Sequence, residues 1–147
     1  AHEGFPGHMY QYAYMYENVD SNFIKALANV GAYTEGFAVY AQYESLKYLD
    51  GISQEVLDVY REYELLTYCL VIAADIGIHY EGWSLDEFEN YFTEMGLSIG
   101  SGDALYAQLQ ANPAVFETYY VGYHEIMDLR EKAEAALCEN FDAKAFN

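Results

Sequence analysis

Positive charge is scarce in this sequence. Only 6 Lys and Arg stand against 24 Asp and Glu, which gives a formal net charge of -18 at pH 7. Such a surface repels the phosphate backbone of nucleic acids and anionic lipid surfaces, so we expect neither as a partner. The charge also suits a solvated surface that keeps a tyrosine-rich protein soluble, and it therefore identifies no substrate.

Long apolar runs and cysteine pairs are missing as well. No segment approaches the roughly 20 consecutive apolar residues of a membrane-spanning helix, so no membrane span is predicted. The two cysteines, Cys69 and Cys138, form no Cys-x-x-Cys pair and no disulfide framework. Both lie in apolar stretches with helical spacing, and we expect them to be buried free thiols.

The remaining composition indicates a folded helical protein. The chain has 147 residues, 53% of them hydrophobic, with 17 Tyr, 11 Gly and 2 Pro. This length predicts a single helical domain over residues 1–147. The sequence begins at Ala1-His2 without Met or a signal-like segment. We expect a fragment of a longer protein, with any targeting signal upstream.

Apolar residues recur at helical spacing along most of the chain, and no segment alternates as a strand does. The sequence therefore predicts an all-α bundle of about six helices. The predicted helices run from His8 to Asn18; from Phe23 to about Tyr48, with a bend near Gly31 or Gly36; from Ser53 toward His79, as the core helix; from Ser84 to about Met95; after Asp103; and from Pro113, in the first turn, to about Glu139.

His2, Glu3 and His8 suggest a metal site. In the common zinc-peptidase pattern His-Glu-x-x-His, the two histidines lie four apart on one helix face, and Glu activates a water. Here the histidines are six apart, which on a regular helix means about 600° of rotation and about 9 Å of rise. Pro6-Gly7 between them can interrupt the helix and bring His8 back toward His2.

A third protein ligand is needed, because catalytic zinc takes three and leaves one position for water. Glu35 is the best candidate. The residues on its helix face are mostly small, and they allow another helix to approach closely. Those residues are Ala28, Gly31, Ala38 and Gln42. The metal site is thus predicted between the N-terminal helix and the Glu35 helix.

Each piece alone has a simpler explanation. A single His-Glu pair more often makes ordinary hydrogen bonds, and a single Glu on a helix is more often solvated or ion-paired. Only the combination of the His2–His8 segment with Glu35 favours metal binding.

Four ordered motifs resemble the bacterial domain-of-unknown-function family eight-eighty-five, which is similar to zinc metallopeptidases of the gluzincin clan. The resemblance runs almost from end to end. The matching segments are His2-Glu3-Gly4-Phe5-Pro6-Gly7-His8 with Gln11, Tyr33-Thr34-Glu35-Gly36-Phe37-Ala38-Val39-Tyr40-Ala41, Asp75-Ile76-Gly77-Ile78-His79 with Gly82-Trp83, and Pro113, Tyr119 and Gly122 at the family's spacing.

The resemblance implies that His2, His8 and Glu35 bind zinc and that Glu3 is the general base. It also implies that His79 and Tyr119 hold substrate or the transition state. Asp75, four residues before His79 on a predicted helix, could orient its imidazole. His79 could instead be a helix-end histidine satisfied by a neighbour. Tyr119 is one of 17 tyrosines, and each of these could be structural.

Two residues near Tyr119 are further candidates by their chemistry. Tyr123 is predicted to bind substrate, and His124 is a weaker candidate for the same role.

The sequence departs from the family pattern at several positions. Met9 replaces a second adjacent His, Phe37 replaces Trp, and Gln42 replaces Glu. Basic residues expected just before Asp75 are replaced by residues such as Tyr68 and Val71. The contact that such basic residues would make with a substrate carboxylate is therefore not predicted for this chain. Family members are longer, with a helical region before the metal motif. This chain is then the C-terminal catalytic portion, and the missing N-terminal helical region is a partner within the same protein.

Three function classes follow from the sequence. The first is a zinc peptidase acting on peptides, with Glu3 as general base. The second is an inactive relative that serves as a binding or scaffold domain, and the third is a zinc hydrolase of non-peptide amides or esters. Glu3 favours the first and third. We expect weak zinc retention and little activity from these 147 residues alone, and a location in the cell envelope or outside the cell.

Overall fold

The computed structural model describes residues 1–27 and 30–147, and it contains no strand in those ranges. The predicted all-α class is confirmed. Within these ranges, eight α-helices replace the predicted six or so, accompanied by a π-helix, Gly77–Glu81, and a 3-10 turn, Cys138–Asn140. The α-helices are α1 His8–Asn18, α2 Asn22–Leu27, α3 Gly31–Leu46, α4 Gln54–Ile76, α5 Leu85–Glu94, α6 Gly102–Ala111, α7 Val115–Leu137 and α8 Ala143–Phe146.

The chain divides into two compact units. The first comprises Ala1–Asp58 and Thr118–Asn147, and the second comprises Val59–Glu117. In the first unit, α1 packs against α3. Its buried apolar residues are Met15, Ala38, Val39, Tyr40, Ala41, Tyr43, Leu57 and Tyr123. In the second unit, α5 packs against α6 around a core of Ala74, Ile78, Phe88, Phe92 and Leu109.

Two helix starts follow from local chemistry. Ser84 precedes α5 and accepts a hydrogen bond from the backbone N–H of Glu87, whose side chain accepts from the backbone N–H of Ser84. This reciprocal capping box satisfies two of the otherwise unpaired N–H groups at a helix start. Ser21 caps α2 by accepting from the backbone N–H of Ile24. The predicted helix starts at these positions are confirmed.

The predicted continuous helix from Phe23 to Tyr48 is wrong. Val30 is extended, with φ -79° and ψ 107°, and α3 begins after it at Gly31. The apolar spacing stays helical on both sides of this break, so periodicity alone does not reveal it. Residues 28 and 29, which include the predicted face neighbour Ala28, lie outside the described part of the chain.

The predicted core helix is only partly buried, because its C-terminal part, with Ala74, belongs to the core of the second unit and its earlier part is largely exposed. Within α4, exposed fractions reach 69% at Val59 and 68% at Tyr63. The helix ends in a π-helix that Gly82 terminates with a positive φ of 78°. Cys69 and Cys138 are exposed free thiols, so the prediction that they are buried is also wrong.

The prediction that Pro113 lies in the first turn of the last long helix is wrong. Ala114 follows Pro113 with φ 61°, and the helix begins at Val115. The backbone N–H of Ala114 donates to Oδ2 of Asp75 at 2.7 Å. This contact with a buried carboxylate holds the backbone outside the helix for one residue.

No helix in the described ranges is long and apolar enough to span a membrane.

Candidate metal centre

The turn that precedes α1 brings the first two histidines together. Residues 1–7 are not helical, and α1 begins at His8. The backbone N–H of Gly7 donates to the carbonyl of Ala1 at 3.0 Å, and that of His8 donates to the carbonyl of His2 at 2.8 Å. The two imidazole rings are perpendicular, with centroids 4.9 Å apart. The predicted interruption between the histidines is confirmed.

Gly7 makes this turn possible. A Cβ atom at position 7 would overlap the carbonyl oxygen of His2, whereas a Cβ at Gly4 would meet no atom within 4 Å. The backbone of Gly7 therefore occupies space that a side chain would need. The glycine lets the chain fold back so closely that His2 reaches His8.

Glu35 lies against both histidines. Its Oε2 atom is 3.3 Å from Nε2 of His2 and 3.3 Å from Nε2 of His8. Strong hydrogen bonds between charged groups are shorter, about 2.7–2.9 Å. Ligand atoms about 2.0–2.1 Å from a tetrahedral zinc would stand about 3.3 Å from one another. Two imidazoles and one carboxylate are also the donors that catalytic zinc uses, so these residues fit a zinc ion.

Glu3 lies beside the histidines but is more exposed than Glu35. Its carboxylate offers an oxygen that lies within 4.8 Å of ligand atoms on both His2 and His8. Glu3 is therefore close enough to be an alternative ligand or to act on a water at the same point. Glu35 differs from Glu3 in that one of its oxygens is equidistant from both Nε2 atoms.

Tyr119 supports Glu35. Its ring stacks on His2 with centroids 5.9 Å apart and an interplanar angle of 16°. Burial raises the pKa of Tyr119. The carboxylate of Glu35, to which Tyr119 is hydrogen-bonded, raises this pKa further, and so does the nearby carboxylate of Glu3. The phenol thus stays protonated and donates to Glu35. Its predicted role at the transition state remains a prediction.

Two glycines of α3, Gly31 and Gly36, face α7. A Cβ atom at Gly31 would lie 3.0 Å from Cγ2 of Thr118, and one at Gly36 would overlap the backbone of Gly122. The predicted close approach of a helix near Glu35 is therefore made by α7. This approach brings Tyr119 to Glu35.

Tyr123 is only 7% exposed. Its ring lies edge-on against Tyr43, with centroids 5.3 Å apart, and contacts His124 at 5.1 Å. These are the contacts of a core residue. The predicted role of Tyr123 in substrate binding stays a prediction.

His79 lies in the second unit, within the π-helix. Its Nε2 atom is 3.1 Å from the carbonyl oxygen of Leu109 and 3.1 Å from Oδ1 of Asp75. Both neighbours accept hydrogen bonds, so Nε2 carries the proton and Nδ1 is the remaining nitrogen. Asp75 therefore lies next to the imidazole, as the spacing of four residues predicts, and its role in orienting the ring stays a prediction. The catalytic role of His79 stays a prediction.

Two residues gain roles that the sequence did not reveal. Gln11, which is 6% exposed, lies with Oε1 3.3 Å from Nδ1 of His8. Its position three residues after His8 was the available signal. Glu117 contacts Asp75, and its Oε2 is buried. This contact joins residues far apart in sequence and left no local signal.

Comparison with known families matches residues 1–147 to the family described as "Bacterial protein of unknown function (DUF885)". The chain belongs to this family. No curated protein matches it. A similar solved structure is described as "the putative lipoprotein from Colwellia psychrerythraea", with a TM-score of 0.77 and 27% identity. The alignment covers 99% of this chain and 25% of that chain, so this DUF885 chain spans a quarter of its structural relative.

Proposed function

We propose that this chain carries the zinc centre of a peptidase, with His2, His8 and Glu35 as the protein ligands. The observation that carries the proposal is the position of one carboxylate oxygen, Oε2 of Glu35, 3.3 Å from the Nε2 atoms of both histidines. A carboxylate held by Tyr119 and two imidazoles held by a glycine turn form a preorganised set of donors.

Glu3 is the proposed general base. When bound, zinc would make a water acidic enough to lose its proton near neutral pH and would polarise a peptide carbonyl. Glu3 would accept the proton of the attacking water and pass it to the leaving amine. Its exposed carboxylate, close to both histidines, has the freedom that this transfer requires.

The substrate and the setting belong to the same proposal. We propose a peptide substrate, and we propose that a further helical region of the same protein completes the cleft. The similar solved chain is about four times as long as the part that aligns here, which supports the second point. Its description as a "putative lipoprotein" supports a location in the cell envelope.

The substitution Glu3→Gln tests the proposal. Removing the general base should lower kcat for peptide hydrolysis by about 10²–10⁴-fold. Bound zinc should remain stoichiometric, because the three ligands are untouched. The measurement compares peptide cleavage and zinc content in the whole protein, with Glu17→Gln on the exposed side of α1 as the matched control.

Two results would count against this function. If the whole protein binds zinc but cleaves no peptide, the peptidase assignment is wrong. That result would favour a binding domain or a hydrolase of other amides or esters. Full peptide turnover in Glu3→Gln would remove Glu3 from the mechanism.

A further inference from the structure

Gln11 connects the two helices that supply the proposed ligands. Its side-chain amide N–H donates to the backbone carbonyl of Tyr33 at 3.4 Å, and its Oε1 lies 3.3 Å from Nδ1 of His8. Tyr33 is two residues before Glu35 on α3, whereas His8 begins α1. With only 6% of Gln11 exposed, water cannot readily replace these partners.

The Tyr33 carbonyl fixes which way the Gln11 amide points. A backbone carbonyl can only accept a hydrogen bond, so the NH₂ group of Gln11 must face it. The other end of the amide, Oε1, then faces His8. An amide oxygen can only accept, and therefore Nδ1 of His8 must carry a proton.

This proton decides the state of the opposite ring nitrogen. A neutral imidazole with Nδ1–H has its lone pair on Nε2, and Nε2 of His8 points at Oε2 of Glu35 from 3.3 Å. Two atoms with lone pairs repel each other at this distance unless a cation lies between them. The cation is either a second proton on the ring or a metal ion.

We propose that Gln11 is the positioning residue of the metal centre. It holds His8 in the Nδ1–H tautomer, with the Nε2 lone pair free for zinc, and it ties α1 to the helix that carries Glu35. This inference rests on the proposed zinc site. Hydrogen bonds of this kind to the outer nitrogen of a metal-binding histidine raise metal affinity.

Zinc affinity of the whole protein, measured by competition with a chelator, tests the inference in two variants. Gln11→Met has a similar volume and no acceptor, so zinc should bind about 10–100-fold more weakly. Gln11→Glu keeps the acceptor for His8, so it should recover most of the zinc affinity, whereas its second carboxylate oxygen would face the Tyr33 carbonyl and should lower the melting temperature. A purely structural role would not produce this recovery.

Met15→Ala is the matched control, because Met15 is the other buried residue of α1 and lies about two helical turns beyond His8. It should lower the melting temperature and leave zinc affinity within about threefold of wild type. Equal weakening in Gln11→Met and Met15→Ala would overturn the role of Gln11.

The remaining outcomes separate this inference from the proposed function. Unchanged affinity in Gln11→Met would overturn the inference and leave the zinc site standing. A wild-type protein that binds no zinc would overturn both. If Gln11→Met does not fold, near-wild-type affinity in Gln11→Glu supports the inference and a loss there overturns it.

Discussion

The carboxyl group of Glu117 faces that of Asp75 inside the second unit. Oε2 of Glu117 and Oδ1 of Asp75 are buried and have no hydrogen-bond partner in the described part of the chain, although Nε2 of His79 lies 3.1 Å from Oδ1 of Asp75. Burial raises the pKa of Glu117, and Asp75 raises it further, while His79 opposes the shift. One proton shared by the two carboxyl groups would relieve their repulsion.

Glu117→Gln should reveal this shared proton. Because the native pKa is raised above its ordinary 4.5, the folded protein binds the proton more readily than the unfolded chain. The stability contribution of Glu117 is therefore fully present below about pH 4.5 and is lost as pH rises through the native pKa. Gln mimics the protonated acid, so the variant should be more stable than wild type at neutral pH.

The measurement is the free energy of unfolding from about pH 4 to 8. The advantage of Glu117→Gln should shrink as pH falls, whereas Glu131→Gln, at an exposed position on α7, should show no such trend. A variant less stable than wild type at neutral pH would show that Glu117 is ionised and usefully paired.

Among individual residues, the sequence could identify site residues only where they belong to a motif. His2, His8 and Glu35 come together as the spacing and the interruption at Gly7 predict. Gln11 and Glu117 act through partners on other helices, so their roles depend on tertiary contacts that no local pattern encodes.

At the scale of helices, α3 and α7 approach each other closely at two glycines. A Cβ atom at Gly36 would overlap the backbone of Gly122, and one at Gly122 would overlap the carbonyl of Ala32. Backbone atoms cannot turn aside as a flexible side chain can. The pair of glycines therefore fixes how near Tyr119 on α7 comes to Glu35 on α3.

Gly36→Ala should destabilise the protein by about 1–3 kcal/mol, because overpacking outweighs the gain of up to about 1 kcal/mol in helix propensity. Zinc affinity should fall as well, since Glu35 is displaced. Denaturant unfolding and zinc competition measure the two effects. Gly100→Ala, where a Cβ meets nothing within 4 Å, should change neither, and an unaffected Gly36→Ala would disprove the tight contact.

Helix ends were predictable where the signal is local. The bounds of α1 and the capping box of α5 follow from turn residues and from Ser84. The break at Val30 was not predictable, because the apolar spacing stays helical on both sides of it. The delayed start of α7 was not predictable either, because it depends on a contact between Ala114 and Asp75, 39 positions apart in the sequence. A bend near Gly31 was predicted in the right place, but the structure has a break.

For the whole molecule, composition and periodicity predicted the helical class and could not predict the division into two compact units. Such a division depends on which helices contact one another. The proposed zinc ligands and Tyr119 all belong to the first unit, although Tyr119 lies more than 80 residues after Glu35 in the chain. The fold thus brings Tyr119, from the last quarter of the sequence, to Glu35, in the first quarter.

The zinc stoichiometry and affinity of the whole protein, compared between wild type and Glu35→Gln, test this account most directly. We predict one zinc per wild-type chain. Loss of a residue that only contacts a metal ligand lowers metal affinity by up to about 100-fold, and Glu35→Gln should lower zinc affinity by more than that. Glu17→Gln should bind zinc as tightly as wild type. A wild-type protein without zinc, or a Glu35→Gln variant that binds zinc equally tightly, would contradict the account.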